Sequence, residues 1–213
     1  MAFPITHLLV ADALLGNRPD QDAPQFLLGA LAPDAVHYRR GLAGAAMKNI
    51  GPAKKVTHLC PVSDEPWGAV TDNGGWVQNV KAWLQNNHGP LAEGYAIHVL
   101  TDIRNNMTLW ERFRTMHPEE AAKGYGSDYY RDLQDIDLRL YLSYVKGKKI
   151  EKLLAMAKPC DIPGLVSAGE LCAIRDNILY ENYKDRTPDA AHEYRFVTYG
   201  EALVFVADAV GLL

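Results

Sequence analysis

Cysteine is scarce in this chain. Cys60, Cys160 and Cys172 are the whole complement, and no CxxC pattern occurs. An odd number of widely spaced thiols argues against a disulfide framework and against a cysteine-built zinc site. Reduced, partly buried thiols in a cytoplasmic protein are the expectation. Long apolar runs are also missing: no stretch of 18 apolar residues exists, so no transmembrane helix is expected. The opening Met-Ala-Phe-Pro-Ile-Thr-His lacks a basic leader and makes a poor signal peptide, which places the expected location in the cytoplasm. There is no excess of basic charge. The formal net charge of -4 argues against a nucleic-acid binder, while leaving room for a small basic pocket. GxSxG, P-loop and GxGxxG motifs are absent. So are HExxH and an adjacent His-Asp dyad, which weakens a metalloprotease and an HD-type phosphohydrolase.

What is present is a globular, helical pattern. The 213 residues are 48% hydrophobic and 23% charged, without low-complexity tracts or internal repeats. Helices are expected over residues 5–15, 24–31, 70–86, 93–114, 128–146, 149–157, 167–183 and 199–213. Residues 41–57, rich in Gly, Ala and Lys, read as a loop. Strand signals are weak. The expectation is one all-α domain spanning residues 1–213.

His98 and Asp102 lie four apart inside an apolar run, so a helix puts them on one face. An imidazole and a carboxylate one turn apart can hold a single metal ion, and an ion offsets the cost of a buried charge. A buried His–Asp hydrogen bond is the alternative. His7 sits on the apolar first helix, where a satisfied core histidine is the plainer reading. Asp34 follows Pro33 at an expected chain break, where a carboxylate turns inward or serves as a cap. His58 follows Lys54 and Lys55, whose charge favours an anionic ligand nearby; a surface-loop histidine is the alternative. His37, beside Arg39 and Arg40, is read as pocket-lining. Asp137 shares an apolar helix face with Tyr130, Leu133, Leu140 and Tyr144. It is an inward ligand, or a carboxylate bonded to a tyrosine hydroxyl or a backbone cap. Asp135 instead falls between Arg131 and Arg139 as an exposed ion-pair ladder. His88, His117 and His192 read as surface residues, and Trp110 is close enough along the helix to Asp102 to wall a pocket.

The ordered set of His7, Asp34 in Leu-Ala-Pro-Asp, His58 in Val-Thr-His-Leu, and His98-xxx-Asp102 resembles the zinc-dependent phospholipase C family. The motifs Phe-Leu-Leu-Gly-Ala-Leu-Ala-Pro-Asp (26–34) and Gly-Tyr-Ala-Ile-His-Val-Leu-Thr-Asp (94–102) carry the likeness. It covers the first half to two-thirds of the chain. The resemblance implies the helical phospholipase C/single-strand nuclease fold and a bacterial, cytoplasmic-type member. It implies one zinc held by Asp34, His58, His98 and Asp102, and a second near His7 with Asp102 as a bridge and Asp137 completing it. Met1 stands where the secreted members have a tryptophan. Thr108 stands where a third site needs a histidine, and no later HxxxE exists. One or two metals are therefore implied, not three. Zinc is preferred because three histidines are proposed as ligands, with iron or manganese as alternatives.

The implied activity is metal-assisted phosphoester hydrolysis, on a phospholipid headgroup or a soluble phosphoester. Asp34 is the first choice of general base. Lys54, Lys55, Arg39 or Arg104 would offset the phosphate charge, with His37 lining the pocket. No nucleic-acid partner is expected. The competing readings are a closed structural zinc site without catalysis, and a metal hydrolase of another bond such as an amide.

Overall fold

Proline marks where the helices begin. It lacks an N–H that the first turn leaves unpaired in any case, and its fixed φ suits the helix. In the computed structural model, which describes residues 3–16, 19, 21–39 and 50–212, Pro4 opens α1 (Pro4–Leu15). Pro24 lies in the first turn of α2 (Ala23–Gly29), and Pro33 in that of a 3-10 turn, Ala32–Tyr38. Pro52 does the same in α3 (Gly51–Thr57) and Pro90 in α5 (Pro90–Met107). Between them lies α4 (Asn73–Leu84), capped by the Asp72 side chain on the Gly75 N–H. Then come α6 (Leu109–Met116), α7 (Pro118–Ala122) and α8 (Asp128–Leu140), which runs into a wide π turn, Tyr141–Val145. The chain ends with α9 (Lys149–Met156), α10 (Ala168–Asp176) and α11 (Tyr199–Leu212). Ser167 and Glu170 close a reciprocal capping box at the start of α10.

The fold is all-α. Among the described residues the only strand-like pairing is an isolated bridge between Ile162 and Val166. No described helix is long and apolar enough to cross a membrane. The three cysteines are free, and Cys160 is exposed.

α5 is the axis, with α1, α2, α4 and α6 packed around it. α1 is buried along nearly its whole circumference, from Ile5 through Ala11. A helix apolar all round must sit inside the protein. The closest crossing is between α2 and α5, at Gly29 and Gly94. A Cβ on Gly94 would lie 2.0 Å from the Phe26 carbonyl oxygen, and one on Gly29 would lie 2.2 Å from that of Leu91. Only glycine lets the two backbones meet.

Three expected boundaries move. The helix expected over 93–114 breaks at Thr108 (φ -125°, ψ -93°) into α5 and α6. The chain does not break at Ala32 but tightens into the 3-10 turn, which carries Asp34 in its first turn. Of the loop expected over 41–57, residues 51–57 form α3, while 41–49 lie outside the described residues.

Candidate metal centre

Four separate segments meet at the site. α1 contributes His7, the turn after α2 Asp34, the end of α3 His58, and α5 both His98 and Asp102. Two overlapping groups lie close enough to chelate an ion: His7 with Asp34 and His98, and His58 with His98 and Asp102. The ligand atoms within each group are within 4.8 Å of one another. His7, His58 and His98 are all 1% exposed or less, and Asp102 only 3%.

The backbone sets the tautomers. His98 Nδ1 lies 2.7 Å from the Ala30 carbonyl oxygen, a contact the Gly29–Gly94 crossing permits. A carbonyl only accepts, so Nδ1 carries the proton and Nε2 presents a lone pair. His58 is fixed in the same way, with Nδ1 3.0 Å from the Lys54 carbonyl oxygen. It is buried, which excludes the surface-loop alternative. It is the C-cap of α3, and Leu59 beyond it adopts the left-handed conformation (φ 55°). Trp76 Nε1 donates to the His58 carbonyl at 2.6 Å, and the Tyr95 hydroxyl donates to that of Thr57. These two bonds hold the cap in place.

The two Nε2 atoms face each other at 3.2 Å. His58 Nε2 is also 3.5 Å from Asp34 Oδ1 and 3.5 Å from Asp102 Oδ2, and His98 Nε2 is 3.9 Å from Asp102 Oδ2. Acceptors thus converge on a buried point, where mutual repulsion is costly without an electrophile among them. Four donors bound to zinc at about 2.0–2.1 Å in a tetrahedron stand roughly 3.3–3.4 Å apart. The observed spacings bracket that edge, and the donor types suit a divalent ion.

His7 is placed differently. Its ring stacks on His98, with centroids 3.6 Å apart and planes 11° from parallel. Neither of its ring nitrogens has a hydrogen-bond partner, although Nε2 is 3.5 Å from Asp102 Oδ1. Burial drives its pKa down to about 3, and that of His58 to about 4, so both are neutral at physiological pH. Burial, the largest single influence on Asp34, acts upward, but the Lys54 ammonium and the neighbouring histidines together outweigh it and hold the carboxylate well below its usual range. Burial likewise opposes ionisation of Asp102, and the imidazoles around it, His7 first, bring it below the ordinary value.

The proposed substrate-binding residues separate. Lys54 Nζ donates to Asp34 Oδ1 at 2.7 Å and to His37 Nε2 at 3.2 Å, so these three are together. Lys55 is on the other side of α3, bonded to the carbonyls of Ser63 and Glu65. Arg104 pairs with Asp208 and Arg39 with Glu170. Asp137 belongs to neither group of ligands. It accepts the Ile5 N–H at 3.0 Å and the Tyr183 hydroxyl, which is the tyrosine-bonded alternative. Burial raises its pKa to about 7. Asp135 is buried rather than an exposed rung, bonded to Arg139 and Tyr194, while Arg131 pairs with Asp128. His192 bonds Asp132, whose other oxygen accepts the N–H groups of residues 195–197.

Two clefts reach the centre. One, of about 280 Å³, is lined by Phe3, Asp34, His37, Lys54 and Tyr130. The other, of about 830 Å³, is walled by Trp67, Trp76, Trp110 and Tyr130 and contains Asp102. Trp110 lines it as its position along the helix suggests. Trp67, edge-on to His58 at 4.6 Å, has no signal in the sequence. No family model, curated protein or solved structure matches this chain, and its own geometry defines it: an all-α protein with two His/Asp clusters able to chelate a metal ion.

Proposed function

We propose that the chain is a metal-dependent phosphoester hydrolase, akin to the zinc-dependent phospholipase C family, acting on a phospholipid headgroup or a soluble phosphoester. The observation that carries this reading is the set of acceptors around His58 and His98, locked by backbone carbonyls and spaced as the ligands of one ion. His58, His98 and Asp102 would hold the ion, preferably zinc, leaving a position toward Asp34. When bound, a divalent ion supplies Lewis acidity to a phosphoryl oxygen and makes a water acidic enough to react.

The chain's own groups do the rest. Asp34, 3.5 Å from His58 Nε2, takes the proton of the attacking water on a carboxylate oxygen. Lys54 and His37 line the cleft beside Asp34, and the ammonium attracts an anionic phosphoryl oxygen. The aromatic walls of the larger cleft exclude water and receive an apolar part of the substrate.

The reading is tested by metal content per chain, measured without chelator in wild type and Asp102→Ala, followed by a phosphoester screen. Bound zinc that falls in the variant, with hydrolysis that follows it, is the expected result. No bound metal after zinc reconstitution overturns it. A second reading rests on the same spacing: Asp34 at the fourth vertex would close a structural site. Zinc whose removal lowers stability, in a protein inert toward every phosphoester, favours that one.

A further inference from the structure

Lys54 is nearly as buried as the ligands beside it. Its side chain is 3% exposed, and Nζ is 2.7 Å from Asp34 Oδ1, 3.2 Å from His37 Nε2 and 5.2 Å from the centre of the Trp67 ring. An ammonium is held in such a place only by an anion and further hydrogen bonds, and here Asp34 and His37 supply both. We propose that Lys54 is the second cation of this centre. It takes the place that another metal ion would fill, so that the site holds one divalent ion and one ammonium. The proposal rests on the metal-site reading above and specifies its stoichiometry and charge.

Three observations carry it. The two chelating groups share His98, whose Nδ1 is committed to Ala30; the one remaining lone pair can serve only one ion. His7 and His98 are stacked nearly parallel, so an ion bonded to both would lie far out of the plane of each ring, where neither lone pair points. By contrast His58 and His98 meet at 67°, which lets both lone pairs converge. The charges agree. Asp34 and Asp102 bring two negative charges, which one divalent ion and Lys54 outweigh by a single positive charge. That is enough to attract an anionic oxygen group. A second divalent ion would instead leave a large buried excess. Lys54 also ties charge to geometry, because its own carbonyl oxygen sets the His58 tautomer.

The test is zinc stoichiometry by mass spectrometry of native protein and inorganic phosphate affinity by calorimetry. Wild type, Lys54→Met and Lys54→Arg are compared. Wild type is expected to bind one zinc. Lys54→Met is expected to bind one zinc as well, and to bind phosphate at least about tenfold more weakly, the loss of one charge-assisted bond. Lys54→Arg keeps one zinc and most of the phosphate affinity. Two zinc ions in wild type overturn the proposal, and that measurement needs no variant to fold. One zinc in Lys54→Met with unchanged phosphate affinity overturns it while leaving the metal site standing. No zinc in wild type overturns the metal-site reading and this proposal with it.

Discussion

Substituting Gly94 by alanine tests the chain of causes from packing to metal centre. The new methyl would stand 2.0 Å from the Phe26 carbonyl oxygen. An ordinary carbon–oxygen contact is about 3.3 Å, so α2 and α5 must part by about 1.3 Å at this crossing. Neither partner is a side chain that can rotate away. Overpacking of this kind costs about 1–3 kcal/mol, and the rigid backbone places Gly94→Ala at the upper end. Alanine's better helix propensity returns about 1 kcal/mol, leaving a net loss of about 2 kcal/mol. The same separation stretches the His98 Nδ1–Ala30 contact from 2.7 Å to about 4 Å, which is no longer a hydrogen bond. Loss of a bond that orients a ligating histidine typically weakens metal binding 10–100-fold. Urea denaturation of the metal-free protein reads the first effect, and zinc titration against a competing chelator reads the second. Gly200→Ala is the control, because a Cβ there meets nothing within 4 Å. A Gly94→Ala protein as stable as wild type, with unchanged zinc affinity, would refute the crossing as the cause of the His98 geometry.

Four further outcomes are expected. Asp137, raised to about 7 by burial, keeps its proton in the folded protein over a range where the unfolded chain, near 3.8, has lost it. The folded state then binds more protons, so its stability falls as pH rises from about 4 to 7. Asp137→Asn, which cannot ionise, should flatten this part of the stability curve between pH 4 and 7; parallel curves would contradict the assignment. The histidines act in the opposite sense. With His7 near 3 and His58 near 4 against 6.5 unfolded, metal-free protein should lose stability as pH falls from 6.5 to 4, and thermal melts with and without zinc across that range would show it. Tyr95→Phe removes the hydroxyl that bonds the Thr57 carbonyl and should cost about 1–2 kcal/mol in chemical denaturation. Lys55→Ala, outside the cleft, should leave phosphate affinity within twofold of wild type; a tenfold loss would place Lys55 at the site.

Much of the local structure is legible along the chain. Proline at the helix starts and the apolar periodicity indicate where most helices lie, because these act within one or two turns. The spacing of His98 and Asp102 places both on one helix face for the same reason. What sequence spacing leaves open is which polar residues turn inward. Lys54 and Lys55 are neighbours, yet one is buried on Asp34 and the other is bonded to a loop; the 100° step between successive residues gives them different surroundings, contributed by distant segments. Asp137 lies on the apolar stripe as its periodicity indicates, but the Ile5 N–H and Tyr183, far away in the chain, make it an anchor for α1. For His58 the sequence leaves a surface-loop position open beside the ligand reading, and Trp76, Tyr95 and Asp102 decide it by holding the residue inside. The sequence by itself determined most of the helices and the one-turn ligand pair, since both follow from backbone geometry repeated every few residues, while α3 and the break at Thr108 did not show in it. Only the tertiary structure decided the tautomers, the buried ammonium and the meeting of four segments at one point, because each depends on groups that packing brings together from far apart in the chain.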